Sequence, residues 1–170
     1  MDTEDKKAWC DKGAMEERLF AVGRLFDLGV TGEVNLEKKE DPYTHDLFVR
    51  FQADLKSVRT PLFRAKELYG IDPQFAVTFN LKDGTRYATK YPNIIVMFDI
   101  DWQETSKNIG GVVYTVTPMR ETFLGFLDDI RKAISLDGNK RIDYHRRVDD
   151  EQGNARSSWV FDVRRLHRMR

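Results

Sequence analysis

The stretch "DPYTHDLFVRFQADLKSVRTP", residues 41–61, decides how the chain is read. From Asp46 to Lys56 apolar and polar residues alternate. Leu47, Val49, Phe51, Ala53 and Leu55 stand against Asp46, Arg50, Gln52, Asp54 and Lys56, with only Phe48 out of step. A period of two marks a strand. The run is too long for one ordinary strand, so a reversal near residues 50–52 is expected. Thr60-Pro61 closes it, because proline removes a ladder donor. The expected product is a β-hairpin with Asp46 at its base and the acid-any-lysine triplet Asp54-Leu55-Lys56 on its second strand.

Upstream, "GAMEERLFAVGRLFDLG" carries Leu19, Phe20, Val22, Leu25, Phe26 and Leu28 as a helical stripe, with Gly29 as its stop. Downstream, "QFAVTFN" reads as a strand and "KDGTRYATKYP" as a short helix or turn stopped by Pro92. "NIIVMFDI" is a nearly continuous apolar strand, the kind buried on both faces, and "GGVVYTVTP" is another strand. "RETFLGFLDDIRKAI" has helical spacing at Phe123, Phe126, Leu127, Ile130 and Ile134, and "SSWVFDV" is a last short strand. The order predicts an α/β protein, a single domain over residues 1–170 with a central mixed sheet.

Composition narrows the classes. Lys and Arg total 28, as do Asp and Glu, so the net charge is zero and a general polyanion binder is disfavoured. The single cysteine, Cys10, excludes an internal disulfide framework and fits a reducing cytoplasm. The charged N-terminus lacks the apolar core of a signal peptide, and no apolar run reaches membrane-span length, so no membrane partner is expected. Arginines interleaved with Tyr144 and Trp159 in "RIDYHRRVDDEQGNARSSWVFDVRRLHRMR" suit phosphate contact and stacking, diluted by Asp149, Asp150 and Glu151.

The chemistry these residues could support is phosphodiester hydrolysis. Mg²⁺ prefers hard oxygen ligands, and a lysine nearby can orient water or offset charge on the phosphorane. Asp54 and Lys56 lie two apart on a strand and share a face. Asp46 joins that face if the hairpin loop has an odd number of residues. Glu17 offers a fourth group from the N-terminal end of the helix, with Glu16 as nearest competitor; an acid in a first helical turn is also favoured by the dipole alone. Other acid-x-lysine triplets, such as Glu37-Lys38-Lys39, lie outside any alternating apolar run. The alternative reading of these acids is solvated strand ends and an ordinary ion pair.

Helix with Glu17, then Asp46, then Asp54-Leu55-Lys56-Ser57, then an α/β continuation, resembles the PD-(D/E)XK nuclease superfamily, in its Holliday-junction resolvase-like and Mrr-like branch. The resemblance covers roughly residues 13–100. It implies a restriction-endonuclease-like fold, a mixed four-stranded sheet flanked by helices. It implies a metal-dependent endonuclease acting on DNA. Asp46, Asp54, the Leu55 carbonyl and Glu17 would hold Mg²⁺ or Mn²⁺, and Lys56 would handle the water. His45 stands before Asp46 where the motif has proline; Pro42 follows Asp41, which is therefore a rival upstream acid. The alternative is a catalytically inactive protein of the same fold that binds nucleic acid or a protein partner, as an inhibitor or complex subunit. A homodimer is left open.

Other candidates carry less. His45, His145 and His167 are too scattered for a metal cluster. Asp99 and Asp101 could form a second acid pair, though strand exits often carry acids. Ser157 and Ser158 lack a nearby histidine or a nucleophile elbow. "IGGVV" lacks the lysine of a phosphate loop.

Overall fold

The alternation of residues 46–56 does form strands, but not the hairpin expected of it. The computed structural model describes residues 6–25, 30–41, 43–143 and 157–169. The chain divides into two compact units, Met1–Gln52 and Ala53–Arg170.

In the first unit, helix α1 (Lys6–Leu19) runs into a π-helical turn, Phe20–Arg24. Strand β1 (Thr31–Val34) pairs antiparallel with β2 (Leu47–Arg50), setting Thr31 opposite Arg50 and Val34 opposite Leu47. Gly32 admits Leu25 against the ladder, since a Cβ there would overlap Leu25 Cδ1. Of the expected apolar stripe, Leu25 is buried while Leu19, Phe20 and Val22 are exposed; Phe26, Leu28 and Gly29 lie outside the described residues. Buried Asn35 caps the 3₁₀ turn Leu36–Lys39 by accepting from Glu37 N–H at 3.1 Å. Its amide also donates to the His45 carbonyl at 3.0 Å, tying the turn to the entrance of β2.

The second unit is mixed α/β. It runs β3 (Ala53–Val58), α2 (Ala65–Tyr69), β4 (Ala76–Asn80), α3 (Leu81–Lys90), β5 (Ile95–Asp101), β6 (Ser106–Ile109), β7 (Val112–Thr115), β8 (Arg120–Phe126), α4 (Leu127–Leu136), β9 (Arg141–Asp143), β10 (Ser157–Asp162) and β11 (His167–Arg168). The central four-stranded sheet has the order β11-β8-β5-β3, and a three-stranded sheet has the order β4-β10-β9. β3 runs parallel to β5, while β8 is antiparallel to it, so the central sheet is mixed, with helices flanking it. Val96, Phe98 and Ile100 of β5 meet Phe123, Val77, Phe79 and Phe161 in one core, closed by Leu127, Ile130 and Ile134 of α4.

Three expectations need correction. β2 takes β1 as its partner and β3 takes β5, in place of a hairpin over residues 46–56. Alternation identifies a strand but not its neighbour, and a parallel partner leaves no turn signature in the sequence. "GGVVYTVTP" holds the expected strand, β7, as the second arm of a β6–β7 hairpin turned by Gly110 (φ 60) and Gly111 (φ 86), whose positive φ suits a tight two-residue turn. "RETFLGF" is strand β8, with helix only from Leu127. There the β5 ladder outweighs the helical spacing of Phe123 and Phe126. The strand "NIIVMFDI" buries Val96, Phe98 and Ile100 fully but the intervening residues only partly.

Candidate active site

β3 presents Asp54 and Lys56 on its half-buried side, while Ala53, Leu55 and Ser57 face the other way. The parallel register sets Asp54 beside Val96 and Lys56 beside Phe98, the core positions of β5. Two charged groups are therefore carried toward an apolar core, where each needs a partner. Lys56 Nζ stands 2.9 Å from Asp54 Oδ2 and 2.5 Å from Asp83 Oδ2, which comes from the first turn of α3. Arg86 Nη2 donates to Asp83 Oδ1 at 2.8 Å and to the Tyr87 hydroxyl at 3.1 Å. Tyr87 is buried, and the Lys56 ammonium lies 5.9 Å from its ring centroid.

Burial pushes the Lys56 ammonium down, but the hydrogen bond with Asp83 and then the contact with Asp54 outweigh it and hold it above the ordinary lysine value. Burial also pushes the Tyr87 hydroxyl up, against the donor from Arg86. Asp54 Oδ2 is different. It is buried, and the Lys56 ammonium stands 2.9 Å from it as an ion-pair partner without the alignment of a full hydrogen bond.

In the first unit, the other two expected site residues come together through a residue the sequence did not single out. Lys38 Nζ donates to Glu17 Oε1 at 2.6 Å and makes a short contact with Asp46 Oδ1. The hydrogen bond with Asp46, then that with Glu17, hold the Lys38 ammonium above its usual value. The rivals are placed elsewhere. Glu16 stands 3.7 Å from Lys12 on an exposed face, and Asp41 accepts from Tyr43 N–H at 2.9 Å within its own turn. His45 meets Phe48 edge to face at 4.4 Å.

The second acid pair is absorbed by an ion-pair network. Asp99 accepts from Arg59 at 2.9 Å and from Thr122 at 3.2 Å, and Asp101 lies 3.7 Å from Arg59. Ser157 donates to Asp143 and accepts from Arg141 at 2.7 Å, with no histidine in the set. Tyr144, His145 and the arginine-rich segment to residue 156 lie outside the described residues.

Sequence reading missed Lys38, Asp83, Arg86 and Tyr87. One signal for Asp83 was present: Asn80 three residues before it is an N-cap pattern, and Asn80 does cap α3 by accepting from Lys82 N–H at 2.9 Å.

Among the described residues, no three His, Cys, Asp or Glu side chains gather as a metal-binding set. Mg²⁺ asks for less, since it keeps several waters and takes one or two carboxylates together with substrate phosphates. Asp54, with an oxygen short of a well-aligned hydrogen bond, fits that sparse requirement. Comparison with known family models, with curated proteins and with solved structures finds no match for the chain. No helix among the described residues is long and apolar enough to cross a membrane.

Proposed function

We propose that the chain is a Mg²⁺- or Mn²⁺-dependent endonuclease that hydrolyses phosphodiester bonds in DNA, as its resemblance to PD-(D/E)XK nucleases suggests. The observation that carries this reading is the buried Oδ2 of Asp54, short of a well-aligned hydrogen bond and held beside Lys56 on one face of a strand. A buried carboxylate oxygen in that position is costly unless something else meets it. A divalent cation meets it and, when bound, would supply charge neutralisation at the phosphoryl group and a more acidic water.

Asp54 binds in this reading, with the Leu55 carbonyl beside it. Lys56 donates to the attacking water or to a phosphoryl oxygen, and Asp83 keeps its ammonium charged and in place. Asp46 and Glu17, the other two acids that the resemblance names, share the Lys38 ammonium within the first unit.

A second reading has its own observation. Lys56 stands between two carboxylates, Asp54 and Asp83, and such an ammonium can serve as a purely structural counter-charge. The chain would then be a silent member of the fold that binds nucleic acid or a protein.

Incubation with linear, circular, single-stranded and branched DNA, in Mg²⁺, Mn²⁺ or chelator, separates the two. The nuclease reading expects cleavage that chelator abolishes, that Asp54→Asn and Lys56→Ala each reduce at least ~100-fold, and a Mn²⁺-dependent rise in Tm absent from Asp54→Asn. At a hundredfold its Kd the ion would add about 2.7 kcal/mol. A wild type that neither cuts any of these DNAs nor gains stability from either metal leaves the silent reading.

A further inference from the structure

We propose that the outer edge of β7 is where two copies of this chain pair, strand to strand. The ribbon β6–β7 is a two-stranded sheet of its own, so each of its strands has a free edge. Its ladder sets Ser106 opposite Thr115 and Asn108 opposite Val113, and Val116 N–H donates to the Thr105 carbonyl at 2.9 Å in the same register. Bonded and non-bonded pairs alternate in an antiparallel ladder. Val112, Tyr114 and Val116 therefore turn their backbone groups inward, and Val113, Thr115 and Thr117 turn theirs outward. Thr117 is already met. The Gln74 side chain accepts from its N–H at 2.7 Å and donates to its carbonyl at 3.0 Å, as a neighbouring strand would. Among the described residues no bond reaches the outward groups of Val113 and Thr115, and both residues are exposed.

This edge is complementary to itself. A two-fold axis beside Tyr114 sets Val113 of each copy against Thr115 of the other, so the outward groups meet in about four interchain hydrogen bonds. Moving the axis to Thr115 would bring Val113 against Thr117, whose groups Gln74 holds. Moving it to Val113 would bring Thr115 against Gly111, whose N–H donates to Asn108 Oδ1 at 3.0 Å. With the axis at Tyr114, Gly111 of the second copy arrives opposite Thr117 and its chain turns away there, through two glycines at positive φ. An open depression of about 350 Å³, lined by Asp72, Gln74, Thr115, Val116 and Thr117, leaves room for that turn, and glycine brings no side chain into it. Charge does not oppose the pairing. Residues 112–117 carry none, whereas β6 has Lys107, and the sheet edges β3 and β9 carry Asp54 with Lys56 and Arg141 with Asp143. Charges on an edge keep other strands away, and like charges facing across a ladder repel. Val113 and Thr115, both β-branched, also suit a cross-strand pair. A foreign strand could bond to the same groups, but the ends set by Gln74 and the glycine turn match this chain's own hairpin.

The test is sedimentation equilibrium of the full chain over a concentration series. The wild type should move from one chain toward two as concentration rises. Val113→Pro removes an outward N–H and spares the bonds to β6, which Val113 does not make. It should weaken self-association at least about tenfold. Ser106→Pro makes the same change on the outer edge of β6 and should associate as the wild type does. Circular dichroism and Tm confirm that both variants fold. The register has its own readout. In a Cys10→Ser background, Tyr114→Cys should give a disulfide-linked dimer on mild oxidation. Residues facing each other in a non-bonded pair have Cα atoms about 4.5 Å apart, within disulfide reach. Val113→Cys, at the more exposed position, should not cross-link. A wild type that stays a single chain at every concentration, proline variants that associate equally, or a disulfide through Val113→Cys in place of Tyr114→Cys would each overturn the proposal.

Discussion

Lys56 is held by two carboxylates at a strand position that faces the core, and removing it takes the ammonium from Asp54 and leaves Asp83 with Arg86. At 25 % exposure its side chain is only partly shielded, so the penalty lies below that of a fully buried pair. Lys56→Met should lower stability by about 1–2 kcal/mol, read as a fall in Tm of roughly 2–8 °C for a chain of this size. Asp54→Asn should cost less, because it removes a carboxylate whose Oδ2 is already short of a well-aligned hydrogen bond. If Asp54→Asn proves the more damaging of the two, the ion-pair geometry described for Lys56 is wrong. A second residue, Glu67 of α2, reports through pH. The hydrogen bonds from Arg64 and then Tyr114 hold its carboxyl down at about 2. A group depressed in the folded state stabilises fully above its ordinary value of 4.5, and that contribution fades as pH falls toward about 2. Wild type and Glu67→Gln should therefore differ in Tm at neutral pH and converge through that window. A gap that persists at pH 2 would mean that the contact to Tyr114 does not depend on the charge.

At the scale of elements, α3 is the one to perturb, because it carries Asp83 to Lys56. Its start depends on Asn80, whose side chain satisfies the Lys82 amide. Asn80→Ala should cost about 1 kcal/mol and should also loosen the Asp83–Lys56 contact, seen as faster hydrogen exchange in the first turn of α3. Unchanged exchange there would mean that packing of Tyr87 alone sets the helix. This helix and the flanking strands β4, β5 and β10 were legible in the sequence. Their patterns are local, with apolar periodicity, a cap and a proline stop within one window. The shared face of Asp54 and Lys56 was legible for the same reason. The partners of β2 and β3 were not, since a ladder is a long-range choice that alternation does not encode. Nor was β8, where the spacing of Phe123 and Phe126 reads as helical and the ladder with β5 decides otherwise. Lys38 and Asp83 escaped notice because each is an ordinary charged residue in its own segment. They acquire meaning only through acids or a lysine 8 to 27 residues distant.

For the whole molecule, the ladder between β3 and β5 sets an order of events. The two strands are joined through α2, β4 and α3, and β4 belongs to another sheet. β3 cannot settle into its parallel ladder until the chain through Asp101 exists and has closed that long loop. Local structure such as α3 needs no such wait. In pulsed hydrogen-exchange refolding, amides of α3 should gain protection first, and those of β3 and β5 later and together. Protection of β3 ahead of β5 would contradict this. During synthesis the same constraint applies from the N-terminus onward. A nascent chain that has emerged only as far as Lys90 already contains Asp54, Lys56 and Asp83, yet has no strand on which to align them. An unfinished chain therefore holds these three side chains without the ladder that arranges them.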